Sequence, residues 1–197
     1  MERADVKELC YITPIANVLS IIEKGILSHE LSKKLSHKSL SMEVIQDRRK
    51  NKQIPGTKRF LHEYANLYFD AHNPMLSRRR DQNNQICILC VNASVLDLPN
   101  VIISDRNAAA DYVRFDTVAA GLAALDKNKI YATYWTNSNN QYEAWENKSI
   151  KCAEVLIPDR VEPKYVIGAY VANQTALKAF QQLEIQLTVS IKSDIFF

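Results

Sequence analysis

A chain of 197 residues, 47% hydrophobic and 24% charged, is long enough for one well-buried core. No run of about 18 apolar residues is available for a membrane span, and Glu2, Asp5, Glu8, Glu23 and Glu30 make the start unlike a secretory leader, which predicts a soluble, cytoplasmic protein with no membrane partner. The net charge of +3 hides a polarity: residues 33–80 carry twelve Lys and Arg against four acids, about +8, leaving about −5 elsewhere. Such a distribution suits an anionic polymer or phosphates, although a solvated helix face also collects cations.

In chain order, residues 9–12 read as a short buried strand. Thr13 is placed to cap a helix and Pro14 to occupy its first position. Ile15, Val18, Leu19 and Ile22 then form one apolar face, Asn17 lies opposite, and Gly25 ends the helix. Residues 31–63 are helix and loop with few large apolar side chains, suited to lying over a site. In the run 64–76, Tyr64, Tyr68 and Met75 read by residue type alone as packing groups. Residues 86–95 and 101–104 are apolar strands, the second leading into a turn over 105–110. A helix is expected over 117–125 with Leu122 and Leu125 inward. A polar stretch, 136–141, precedes residues 142–148. The end of the chain holds 165–170, a helix over 173–182 and an alternating run over 185–189. With no repeat or linker, one mixed α+β domain over 1–197 is expected. Cys10, Cys87, Cys90 and Cys152 read as reduced core thiols; Cys87 and Cys90 have metal-like spacing but no second pair, and His29, His37, His62 and His72 lack zinc-protease spacing, so no metal is expected. With four glycines there is neither a dinucleotide-binding Gly-x-Gly-x-x-Gly nor a Walker loop.

The run 151–158 contains a lone carboxylate. Alternation puts Cys152, Glu154 and Leu156 on one face and Ala153, Val155 and Ile157 on the other. Neither face offers Glu154 an obvious partner. A desolvated carboxylate is costly, so such an acid meets a cation, lines a cleft or does chemistry; the alternative is a strand-end Glu that points at water. If Glu154 is a lone cleft charge, deleting it should leave stability unchanged or raise it.

Several ordered segments resemble the DarT-type DNA ADP-ribosyltransferase toxins. Thr13, Asn17 and Gly25 match a family opening of His-x-Thr-His, Asn-Leu, helix and Gly-Leu, with Tyr11 and Pro14 in the two His places. Residues 42–49 and 60–64 resemble the family's Gln-x-x-Arg loop and Leu-His-Asp-Tyr lead-in; Arg49 falls on the functional Arg, with Arg48 one residue away as the alternative. Tyr64, Tyr68, Phe69, Pro74, Met75 and Leu76 match Tyr-Val-Pro-Phe-Tyr-Phe-x-x-Arg-Ser-Pro-Met-Leu, with His72 and Asn73 replacing Arg-Ser. The turn at 105–110 resembles Ser-Asp-Gly-Asn-Ala-Ala, and Ala153-Glu154 match the Ala-Glu that supplies the family's catalytic acid.

The resemblance implies an ADP-ribosyltransferase fold with a split central mixed sheet and flanking helices. It implies transfer of a single ADP-ribose from NAD+ to a base of single-stranded DNA, without a metal, and a macrodomain antitoxin as partner. Glu154 and Arg49 would be catalytic. Tyr11, Thr13, Asn17, Gly25, Arg49, Tyr68, Phe69, Met75 and Leu76 would hold NAD+, and Arg48, Lys50, Arg78, Arg79, Arg80 and Lys148 the DNA. The polar stretch before Glu154 would contact the acceptor. The alternatives are a catalytically idle nucleic-acid- or antitoxin-binding module on the same scaffold, or transfer to RNA or protein.

Overall fold

The computed structural model describes residues 1–40, 43–136 and 140–197; Met42 of the 42–49 run and residues 137–139 of the polar stretch lie outside the described residues. The strands are β1 (Glu8–Pro14), β2 (Ile26–Leu27), β3 (Tyr64–Tyr68), β4 (Ile86–Asn92), β5 (Ile102–Ser104), β6 (Phe115–Thr117), β7 (Glu154–Pro158), β8 (Arg160–Val161), β9 (Val166–Val171) and β10 (Val189–Ile191). The helices are α1 (Val18–Lys24), α2 (His29–Ser32), α3 (Glu43–Lys50), α4 (Pro74–Ser77), α5 (Val118–Ala124), α6 (Lys127–Ile130), α7 (Gln141–Ile150) and α8 (Gln174–Gln181).

Among the described residues, eight strands form one sheet in the order β10-β9-β4-β1-β3-β7-β5-β6, antiparallel except for β9 and β10, while β2 pairs with β8. β1 pairs with β4 along its whole length from Glu8 to Pro14, and β3 with β7 from Tyr64↔Pro158 to Tyr68↔Glu154. β1 meets β3 only through Cys10↔Tyr68. Two halves therefore splay apart from one shared point, and a cleft opens between them beside the head of β7.

One face of the sheet is continuously apolar. Leu9, Leu67, Leu89, Val155 and Ile157 pack there with Val18 and Ile21 of α1, Leu122 of α5 and Phe180 of α8. The other face carries two separate clusters. Cys152 packs with Cys10, Ile12 and Tyr68, whereas Leu156 packs with Ile54, Leu61 and Tyr64. Glu154, the first residue of β7, lies between Cys152 and Leu156 along the chain, in the gap between those clusters.

Several boundaries differ from the sequence expectation, each for a local reason. Thr13 and Pro14 extend β1, pairing with Cys87 and Ile86, so Thr13 caps no helix. A 3-10 turn over Ile15–Asn17 precedes α1; its tighter winding aligns Ile15, Val18 and Ile21 on the core, and Leu19, expected on that face, is 50% exposed. β4 stops at Asn92, whose side chain accepts from Ser94 N and starts a 3-10 turn in place of further strand. Lys151 and Cys152 close the last turn of α7, donating backbone bonds to Asn147 and Ser149, and the strand begins only at Glu154. The last strand is 189–191, not 185–189: Ile185 and Leu187 pack against the core without joining the ladder. The four cysteines are buried free thiols. No helix among the described residues is long and apolar enough to cross a membrane.

Candidate active site

Glu154 is completely buried and Arg49 is 7% exposed, yet neither is without a partner. Arg49 Nη1 donates to Oε1 and Oε2 of Glu154, and Nη2 to Oε2, all at 3.1 Å. The amide of Ala108 donates to Oε1 at 2.9 Å. This amide belongs to the 105–110 turn, so the turn acts on the site through its backbone. Asp105 organises that turn instead, accepting from Arg114 N at 2.9 Å. Ser104 Oγ accepts the Glu154 amide at 3.1 Å and donates to Arg106 O at 2.8 Å, tying β5, the turn and β7 together. Burial pulls the Arg49 guanidinium towards lower pKa, but the charge and hydrogen bonds of Glu154 more than reverse this and hold the cation firmly protonated.

A cavity of about 590 Å³ opens beside this pair. Of the residues matched to NAD+ contacts, Tyr11, Thr13, Asn17, Gly25, Arg49, Tyr68 and Met75 line it. Phe69 and Leu76 are not in its wall: Phe69 is buried in the large core and Leu76 in the cluster around Cys10. Tyr68, opposite Glu154 in the ladder, has its hydroxyl pushed well above the ordinary phenol range, first by burial and then by the charge of Glu154. Asn17 Nδ2 donates to Lys38 O at 2.8 Å and its Oδ1 accepts from Lys38 N at 3.1 Å, so this side chain pins the covering segment to α1. Among the cations matched to DNA, Arg48, Arg78, Arg79 and Lys148 line the cavity. Arg79 also donates to Leu40 O. Lys50 instead borders a small hollow behind α3 with Glu30 and Phe60, and the exposed Arg80 is in neither wall. Where the family has Arg-Ser, His72 stacks on Phe197 with ring centroids 4.1 Å apart, and buried Asn73 caps α4 through Met75 N and Leu76 N.

Sequence reasoning gave no role to three further groups. His62, 6% exposed, lines the cavity with both ring nitrogens lacking a hydrogen-bond partner, its ring 4.1 Å from that of His29. Burial, then the neighbouring charges of His29 and Arg49, lower its pKa to about 4, so the ring is neutral at pH 7. Trp145 lines the cavity mouth although 58% exposed. Lys151 is wholly buried, its Nζ donating to Asp70 Oδ2 at 2.5 Å and to Ile130 O at 2.8 Å. Lys151 stood only as the first residue of the strand-like run 151–158, which gives no sequence signal for such a place. No cluster of three or more metal-ligating side chains occurs among the described residues.

A sheet nearly split at its centre, with a buried Glu at the head of a strand facing the gap, is the architecture of the ADP-ribosyltransferase fold. The chain belongs to the DarT family: the family model described as "ssDNA thymidine ADP-ribosyltransferase, DarT" matches residues 10–197. It is 31% identical over 178 residues, 85% of its length, to the DNA ADP-ribosyl transferase–DNA ADP-ribosyl glycohydrolase fusion protein of Thermosipho africanus, of which it covers 43%. It is 29% identical over 144 residues, 68% of its length, to the DNA ADP-ribosyl transferase of Thermus aquaticus, of which it covers 65%. The chain thus spans less than half of the first relative and about two thirds of the second. In three dimensions it matches Thermosipho africanus DarTG in complex with ADP-ribose with a TM-score of 0.81 at 29% identity, over 97% of this chain and 51% of that one. It matches Thermus sp. 2.9 DarT in complex with ADP-ribosylated ssDNA with a TM-score of 0.82 at 24% identity, over 98% and 97%, a likeness of fold.

Proposed function

We propose that residues 1–197 act as one transferase domain in the cytoplasm that moves a single ADP-ribose from NAD+ to thymidine in single-stranded DNA and releases nicotinamide. The observation that carries this reading is Glu154: a fully buried carboxylate, held by the Ala108 amide and with its backbone fixed by the Ser104 hydroxyl, in the gap between the two half-sheets. Family membership supplies the reaction class. Relatives described as DNA ADP-ribosyl transferases and a relative's complex with NAD+ support the substrates.

The chemistry follows from the groups in the cavity. The bond from ribose C1′ to the nicotinamide nitrogen breaks with its electron pair going to nicotinamide, which leaves neutral. Positive charge then spreads over C1′ and the ring oxygen. Glu154 accepts a hydrogen bond from the ribose 2′-hydroxyl and faces that charge, stabilising the transition state more than the ground state. The acceptor base gives an electron pair to C1′ and loses a proton. For Glu154 to accept the hydroxyl, Arg49 gives up at least one of its bonds to the carboxylate. Its planar fork then suits a pyrophosphate oxygen of NAD+, or a water that relays the acceptor's proton. Tyr68 and Met75 wall the nicotinamide side, and Arg48, Arg78, Arg79 and Lys148 follow the phosphates of a strand entering the cleft.

Incubation with labelled NAD+ and single-stranded DNA, duplex DNA, RNA or protein tests the reading: label should pass to thymidine-containing single strands without added metal. A second reading has its own observation. The bonds from Arg49 occupy both oxygens of Glu154, and Tyr11 and Pro14 stand at the family's His places, as in an idle DNA- or antitoxin-binding module. Binding of single strands with no nicotinamide release would establish that module, and label confined to RNA or protein would replace DNA as the acceptor. The glycohydrolase fused to the transferase in the Thermosipho africanus relative supports a macrodomain antitoxin as partner. Expression of the active chain should arrest growth, and co-expression of such a hydrolase should restore it.

A further inference from the structure

The carboxylate of Glu154 takes its ligands from two separate segments, the guanidinium of Arg49 in α3 and the amide of Ala108 in the 105–110 turn. Both segments meet again at Lys52. The amide of Lys52 donates to Arg49 O at 3.2 Å, so Lys52 sits in the turn that closes α3, and its carbonyl accepts from Leu61 N at 2.8 Å, which pins that turn ahead of β3. The half-buried side chain then reaches a partner 58 residues away, where Nζ donates to the carbonyl oxygen of Ala110. Ala108, two residues earlier, packs with Ile54 and Leu61 from the same loop as Lys52. On its other side the 105–110 turn is tied to α7 by Asn107 N, which donates to Ser149 O at 2.9 Å. Asn107, Ala109 and Ala110 line the cavity, but Lys52 does not, so any effect of Lys52 on a substrate passes through the turn. Burial lowers the pKa of this ammonium, Asp111 opposes the shift and Arg49 adds to it. A cation is therefore held in an unfavourable place, and the bond to Ala110 O offsets that cost.

We infer that Lys52 is a positioning residue for the transfer step: it fixes the 105–110 turn so that the Ala108 amide stays on Oε1 of Glu154 while Arg49 exchanges its bonds to the carboxylate for substrate. The inference rests on the proposed function for the role of Glu154. Once Arg49 lets go, the Ala108 amide is the donor that stays. A backbone amide cannot follow a carboxylate by rotating a side chain, so it is only as well placed as the turn that carries it. Arg49 and Lys52 leave the same end of α3, and the fork of Arg49 can swing because Lys52 and Leu61 hold that end still. A reacting group displaced by about 1 Å can lose on the order of a hundredfold in rate. The amide also favours the ionised carboxylate, the form that faces positive charge on the ribose. The titratable and charged groups facing Glu154 are Arg49, Tyr68 and Cys152; burial raises the last two, so Arg49 is the charged one near neutral pH.

The test uses the full chain with three variants. Lys52→Met keeps the length of the side chain and removes its donors, Lys52→Arg keeps a donor, and Lys58→Met removes an exposed cation from the same loop. Nicotinamide release from NAD+ with single-stranded DNA is followed as a function of pH, and exchange of the Ala108 amide is followed without substrate. Lys52→Met should lower kcat about tenfold and change the KM for NAD+ by less than about twofold. It should also move the acid limb of kcat to higher pH, because a carboxylate that has lost a donor takes up a proton more readily. Lys52→Arg should recover most of kcat, and Lys58→Met should match wild type. The Ala108 amide should exchange faster in Lys52→Met than in the other proteins. A kcat within about twofold of wild type in Lys52→Met would overturn the inference. So would an acid limb that does not move, an equal loss in Lys58→Met, or no recovery in Lys52→Arg. If the wild-type protein releases no nicotinamide, the transferase reading falls, and exchange at Ala108 still decides whether Lys52 holds the turn: faster exchange in Lys52→Met upholds it and unchanged exchange overturns it.

Discussion

Glu154 and Arg49 are each removed from water and each depends on the other, so deleting one leaves a buried charge without its partner. A carboxylate without a cation would be indifferent to deletion, or relieved by it. The observed pair, bidentate and nearly dry, reverses that expectation. Glu154→Ala should lower stability by about 3–5 kcal/mol while abolishing nicotinamide release, as thermal melting and a labelled-NAD+ assay will show. Glu154→Gln, which keeps an acceptor oxygen for Arg49, should lose less stability but as much activity, at least about a hundredfold. Equal activity in Glu154→Gln and wild type would exclude the carboxylate from the chemistry. His62 gives a second test at this scale. Its folded pKa of about 4 lies below the ordinary value of 6.5, so the unfolded chain takes up a proton there before the folded one does. The stability contribution is complete above pH 6.5 and is lost as pH falls towards 4, by on the order of 2–3 kcal/mol. His62→Phe, which removes two unpartnered buried nitrogens, should flatten that acid limb and match or exceed wild-type stability at pH 7, as urea unfolding across this range will measure.

Between α1 and β2 the chain turns at Gly25 with φ +89, and a Cβ there would stand 2.2 Å from the carbonyl oxygen of Val161 in β8. Both the backbone angle and the close approach require glycine. Gly25→Ala should cost about 2 kcal/mol or more and loosen the β2–β8 pair, which is visible as a lower urea midpoint and faster amide exchange at Ile26 and Leu27. Gly121 serves α5 differently: its missing side chain lets the helix lie on β5, where a Cβ would meet Ile103 Cβ at 2.4 Å. That contact presses against the strand whose Ser104 holds the backbone of Glu154. At the far end of α7, buried Lys151 ties the helix terminus to Asp70 and Ile130. The helix presenting Trp145 is thereby fixed to the segment that follows β3 and to the end of α6.

Across the whole molecule, the excess of positive charge in residues 33–80 is only partly assembled at the cleft. Arg48, Arg78 and Arg79 reach its wall, and Lys148 joins them from outside that segment. Lys50 and Arg80 do not line it. Phosphate contacts release counterions, so the KM for single-stranded DNA should rise steeply between 50 and 200 mM salt, by about tenfold or more for several contacts. The KM for NAD+ should change far less. Arg48→Gln should reduce the salt slope by about one, and Arg80→Gln should leave it nearly unchanged.

Local sequence determined much of this protein. The near-continuous apolar runs of β1, β4 and β7 marked them as strands covered on both faces, which is how they are buried. The order of short matches, from Thr13 through Tyr68 and Met75 to Ala153-Glu154, was legible because each depends on residue type at fixed spacing. Tertiary structure decided the rest. Glu154 and Arg49 are 105 residues apart, and nothing local to either names the other. The second ligand of Glu154 is the backbone amide of Ala108, a group every non-proline residue carries, so no side chain advertises it. Leu19 lost its place to Ile21 because a 3-10 turn changed the helical phase. Phe69 and Leu76 matched a pattern yet entered the core. Spacing tells which residues travel together along the chain, whereas the splay of two half-sheets from a single shared pair decides which of them face the cleft.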